Sequence, residues 1–72
     1  MTQIGIGILG GGQLGRMLAM SAAQLGYRCH VYAPESDSVA AEVSARFTNA
    51  AWHDAEALAA FARDCDGITY EF

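Results

Sequence analysis

Gly10, Gly12 and Gly15 stand at the spacing G-x-G-x-x-G, inside the run Gly10-Gly11-Gly12-Gln13-Leu14-Gly15. The chemistry open to such a run is binding. A main chain without Cβ atoms lets a ligand come close. The N–H groups and the positive dipole end of a helix starting there favour an anionic or polar one. Gln13 can donate and accept hydrogen bonds at once, although a surface position at a helix start would ask for nothing more. Far along the chain, Glu71 offers a carboxylate for ligand hydroxyls or amines; its plainer reading is a solvated group at a strand end. His30 and His53 read as structural or solvated, because neither has a Ser, Cys or second His at catalytic or metal spacing. Trp52 and Phe47 read as core side chains rather than a stacking platform.

The elements that must position these groups follow from periodicity. Ile4, Ile6 and Ile8 alternate with period two, which marks a strand. After the glycines, Leu14, Met17, Leu18, Ser21, Ala22 and Leu25 recur at helical spacing and predict the buried face of a helix from Gln13 to Leu25. Gly26 follows as its C′ residue. Tyr27 to Tyr32 predicts a second strand, stopped by Pro34. A short helix over Val39–Ser44 and a short strand over Arg46–Asn49 come next. Asp54 is a good N-cap for a helix that buries Leu58, Phe61 and Ala62 and ends near Arg63 or Asp64. Gly67 to Phe72 predicts the last strand.

The order β-α-β-α-β-α-β predicts an α/β, Rossmann-like parallel sheet with helices on both faces and strand order 3-2-1-4. Winding then reverses between the first and fourth strands, and ligands of such sheets bind at the reversal, beyond the carboxyl ends of the strands. The glycine run and Glu71 belong to that crevice.

Composition narrows the class. Seventy-two residues, 53% of them hydrophobic, make at most one small domain. The net charge is −4, there is no lysine, and the four arginines are scattered, which argues against a nucleic-acid-binding face. The only early apolar run, Ile4 to Leu9, lacks a preceding basic segment and is too short for a signal peptide or a membrane span. Cys29 and Cys65 lack metal-ligand spacing and read as small buried hydrophobes in a reducing, cytoplasmic setting.

A dinucleotide is the default ligand of the glycine pattern, and it asks for an acid at the end of the second strand. That strand ends Val31-Tyr32-Ala33-Pro34 with no carboxylate; Glu35 lies past the proline. An NAD(P)-binding domain of an oxidoreductase, or a dinucleotide-sensing regulator, is therefore the weaker alternative. A free-standing α/β interaction module is a third.

Ile8-Leu9-Gly10-Gly11-Gly12-Gln13-Leu14-Gly15-Arg16-Met17 and Cys65-Asp66-Gly67-Ile68-Thr69-Tyr70-Glu71-Phe72 resemble the start of the 5-(carboxyamino)imidazole ribonucleotide synthases, the PurK family of the ATP-grasp superfamily. The resemblance runs over essentially the whole chain. It implies that residues 1–72 are the Rossmann-like pre-ATP-grasp domain of a three-domain ligase of purine synthesis, with the ATP-grasp and C-terminal domains outside the sequence. Such an enzyme uses Mg-ATP to carboxylate aminoimidazole ribonucleotide with bicarbonate. By resemblance Gly11, Gly12, Gln13, Leu14 and Gly15 line the ribonucleotide site, and Glu71 binds the ribose or the amine end. No catalytic or metal-binding residue is expected here, the ATP site lies elsewhere, and these 72 residues are not expected to be active alone. The expected partners are the small-molecule substrates; a homodimer of the full-length enzyme stays open.

Overall fold

A computed structural model describes residues 3–70. Glu71 and Phe72, the end of the expected last strand, lie outside the described residues. The elements are β1 (Gly5–Leu9), α1 (Gln13–Gln24), β2 (Arg28–Ala33), a single 3-10 turn (Ala41–Val43), β3 (Arg46–Asn49), α2 (Ala55–Arg63) and β4 (Gly67–Tyr70). All strand pairs are parallel, in the order β3-β2-β1-β4 that the sequence predicts. Right-handed crossovers account for that order. The first two connections step one way from β1, and the third must return past it.

Side chains alternate across the sheet, so residue parity separates its two faces. On one face Ile8, Cys29, Val31 and Ala33 pack with Ala19 of α1 and with Ala40, and Phe47 rests against that cluster. On the other face α2 presses Phe61 onto His30 and Tyr32, at ring-centroid distances of 4.7 and 5.3 Å. Gly7 makes that approach possible: a Cβ built there would lie 2.6 Å from Cys65 Sγ and 2.7 Å from Phe61 Cζ. Trp52 stacks on Tyr32 at 5.8 Å. It is therefore on the opposite face from Phe47 and partly exposed, and the two aromatic residues do not share a core.

α1 is rotated from its expected setting. Its buried residues are Gly15 and Ala19, with Ala22 half-buried, whereas Leu14, Met17, Leu18, Ser21 and Leu25 are exposed. Gly15, Ala19 and Ala22 also fall at i, i+4 and i+7, and a stripe without bulky side chains lets the helix axis lie close to the sheet. The larger residues are left on the outer flank. α1 closes with Gly26 at φ +90°: Gly26 N–H donates to Ala23 O (3.0 Å) and Tyr27 N–H to Ala22 O (2.9 Å), a Schellman ending.

The short helix over Val39–Ser44 is reduced to one 3-10 turn, held by the Ala41 N–H donating to Ser38 Oγ at 3.1 Å. Asp54 caps α2 as expected, its Oδ1 accepting from Ala57 N–H at 3.0 Å. Phe61 is buried beneath α2 and Leu58 half-buried, but Ala62 faces outward. No helix among the described residues is long and apolar enough to cross a membrane.

Candidate functional site

The turn leaving β1 is tied down on one side. Gly10 takes φ +127°, and its N–H donates to Tyr32 O at 2.9 Å, so the chain swings off the sheet at the end of β2. The Gly11 carbonyl accepts from Ser38 Oγ at 2.9 Å and from Ala40 N–H at 3.2 Å. A Cβ at Gly11 would lie 2.5 Å from Ser38 Oγ and 2.6 Å from Glu35 Oε1. Gly11 thus serves the contact between the turn and the 34–40 loop, a job its sequence position did not announce. Glu35 is in that loop, as expected, with its carboxylate against Gly11; β2 itself ends without an acid at Ala33.

Of the glycine run, Gly11 and Gly15 are buried, Gly12 is half-buried, and Gln13 and Leu14 are exposed. Gly12 is the N-cap of α1 and brings no capping side chain, and the first turn holds no acid. One turn on, Arg16 carries a positive charge, and its Nε is buried without a partner among the described residues. This residue was absent from the sequence-based site. Its place directly after Gly15 was the available signal.

β1 and β4 are neighbours in register, with Leu9 opposite Tyr70. The carboxyl end of β4 therefore stands beside the strand end from which the glycine turn departs, at the reversal of winding. Glu71, the next residue in sequence, lies outside the described residues. The structure thus assembles the turn and the strand end but leaves the carboxylate undescribed.

A second polar cluster sits under α2. His30 Nδ1 is 2.9 Å from Asp64 Oδ2, and its Nε2 is 2.6 Å from Thr48 Oγ1. Arg46 Nη1 donates to Asp64 Oδ1 at 2.7 Å. Burial pushes the His30 imidazolium down from its ordinary value, against the hydrogen bond and charge of Asp64. His30 is structural in the expected sense, but its partners lie 18 and 34 residues away, beyond any local spacing rule. His53 is exposed. Cys29 and Cys65 are free thiols, and burial raises both. Among the described residues no group of three or more His, Cys, Asp or Glu could hold a metal ion.

A family model described as the ribonucleotide synthetase preATP-grasp domain matches residues 1–72. The N5-carboxyaminoimidazole ribonucleotide synthase of Brucella melitensis is 54% identical over 67 residues, 93% of this chain and 18% of that protein. The bifunctional purine synthesis protein purC/E of Dictyostelium discoideum is 52% identical over 67 residues, again 93% of this chain but 7% of that protein. Among solved structures, the N5-carboxyaminoimidazole synthetase of Staphylococcus aureus complexed with ADP superposes with a TM-score of 0.92 at 42% identity, over 99% of this chain and 20% of that one. The N5-carboxyaminoimidazole synthase of Aspergillus clavatus, in complex with ADP and 5-aminoimidazole ribonucleotide, gives 0.84 at 36% identity, over 97% of this chain and 19% of that one. The chain spans a fifth or less of each of these relatives.

Proposed function

The chain belongs to the ribonucleotide synthetase preATP-grasp domain family, and from that premise we propose that it is the N-terminal, substrate-binding domain of a ligase that carboxylates 5-aminoimidazole ribonucleotide with bicarbonate at the expense of ATP. The observation that carries this reading is the register of Leu9 with Tyr70, which sets the glycine turn beside the carboxyl end of β4 at the winding reversal. Gly11 and Gly15 hold the turn in shape. Gly12, Gln13 and Leu14 form the ligand wall, Arg16 adds positive charge behind them, and Glu71 accepts from the ribose hydroxyls or the exocyclic amine. This division agrees with Gln13 and Leu14 being the exposed members of the run.

In this reading the domain binds and orients the ribonucleotide, and the phosphoryl chemistry belongs to the rest of the enzyme. The residues present do not fit Mg-ATP: the chain has no lysine, and no metal-binding cluster occurs among its described residues. The same reading makes the intact enzyme cytoplasmic and allows a homodimer. A dinucleotide site is not favoured, because the named relatives are purine-synthesis enzymes and β2 ends without an acid.

Calorimetric titration of the intact enzyme tests the reading: saturable binding of aminoimidazole ribonucleotide without binding of NADH supports it, and the reverse result overturns it. In the same protein Glu71→Ala raises KM for aminoimidazole ribonucleotide about tenfold or more, the worth of one charge-assisted hydrogen bond, and leaves ATP binding intact. Unchanged kinetics would remove Glu71 from the site.

A further inference from the structure

Beside α2, on the face of the sheet away from α1, lies a cavity of about 320 Å³. That volume is at the lower end of small-molecule pockets. Its walls differ in character. Ala57, Ala60 and Phe61 are apolar, whereas His30, Arg46, Thr48, Arg63 and Asp64 are polar. Arg46 opens β3, and Arg63 and Asp64 end α2, so the charged wall gathers at the amino end of the sheet. The glycine turn leaves the opposite, carboxyl end.

The charges do not cancel. The two oxygens of Asp64 are engaged by His30 and Arg46. Arg46 uses one Nη1–H in that pair, out of the five N–H groups a guanidinium carries. Arg63 has no partner among the described residues. One full positive charge is left over with a neutral His30, and two with an imidazolium. We propose that this cavity binds the oxyanion head of a small metabolite, a phosphate or a carboxylate, between Arg63 and Arg46, with the apolar part of the ligand against Ala57 and Ala60.

The geometry couples the binding to a proton. Asp64 accepts from Nδ1–H, so in the neutral ring Nε2 is the acceptor of the Thr48 hydroxyl. That hydroxyl hydrogen is then unavailable to a ligand. When His30 takes up a proton, Nε2–H donates to Thr48 Oγ1, and the Thr48 O–H is released to donate into the cavity. The groups acting on the ring are Asp64 from the end of α2, and Arg46 and Thr48 from β3; Arg63 shares the cavity wall. β1 presents Gly7 opposite His30, with the Cys65 thiol beside it. Oxyanion binding and proton uptake by His30 therefore favour each other.

Sulfate and acetate are the probes, because both keep their charge across the range used. NMR titration of the isotope-labelled intact protein follows the His30 ring and the Arg63 side chain at about pH 6 and about pH 8, either side of an ordinary histidine value. Saturable shifts are expected, with a several-fold lower Kd at the lower pH. Arg63→Ala, at an exposed position, weakens binding about tenfold, as loss of one charge-assisted contact implies. Thr48→Val retains binding at the higher pH and keeps only the part of the gain on acidification that the His30 charge itself supplies. Tighter sulfate identifies a phosphate-type head and tighter acetate a carboxylate head. Absence of saturable shifts with both probes, or an Arg63→Ala variant that binds like the parent, overturns the proposal.

Discussion

His30 is the residue whose environment most changes its chemistry. It is 6% exposed in the middle of β2, edge-on to Phe61. Desolvation lowers its folded value below the ordinary 6.5, and Asp64 only partly offsets this. As pH falls, the unfolded chain takes up the proton first. The contribution to stability is present above the unfolded value, and it is lost as pH drops through that value toward the folded one. In a buffer without oxyanions, the Tm of the 72-residue chain should fall on acidification from about pH 7 to about pH 5, with a slope no steeper than one proton allows. A His30→Asn variant should lose that component of the slope. An unchanged slope would mean that the ring titrates alike in the folded and unfolded chain. Nothing local in the sequence pointed to this network. A histidine in an apolar strand was visible, but Thr48 and Asp64 reach it only after the strands pair and α2 docks.

At the level of elements, periodicity and the glycine run marked β1 and α1 in the sequence, and Gly26 and Asp54 marked the end of α1 and the start of α2. The reason is that each is a local signal with a local cause. Gly26 can be tested in isolation. It sits at φ +90°, and a Cβ there would meet nothing within 4 Å, so replacement by alanine adds conformational strain without a clash. Gly26→Ala should cost about 1 kcal/mol, measured by denaturant unfolding at constant m-value. A neutral substitution would show that the Schellman ending can rearrange freely. What the sequence did not disclose is which surface of α1 turns inward. Large apolar residues and small ones both recur at helical spacing along it, and periodicity alone ranks the large ones first. The decision is made by the close approach to the sheet, which Gly15 and Ala19 permit and Leu14 or Leu18 would block. The same limit applies to the glycine turn. Its existence is local, but the role of Gly11 depends on Ser38 and Glu35, which arrive from another connection. The candidate site was legible in the same measure: the turn and its place beside β4 followed from strand order, whereas Arg16 and the support from the 34–40 loop did not.

For the molecule as a whole, the rotation of α1 leaves Met17 62% and Leu18 38% exposed, next to Leu14 and Leu25, while Ala19 is 1% exposed. A domain of this size has only roughly 4–11 kcal/mol of stability to lose, on a per-residue scale. Two substitutions in one helix therefore separate the observed orientation from the one that periodicity suggests. Met17→Gln combined with Leu25→Gln removes side chains that are mostly exposed in this chain, Leu25 being 74% exposed. It should shift stability by no more than about 1 kcal/mol, the sum of two surface changes. Ala19→Leu adds three heavy atoms where Ile8, Cys29 and Val31 already close the space. It should cost about 1–3 kcal/mol through overpacking, a sizeable share of the total. The ratio of the two effects is the measurement. If the double glutamine variant proved the more damaging, the large residues would be the ones facing the sheet. α1 would then have to turn about its axis, carrying Gln13 and Leu14 away from the ligand wall.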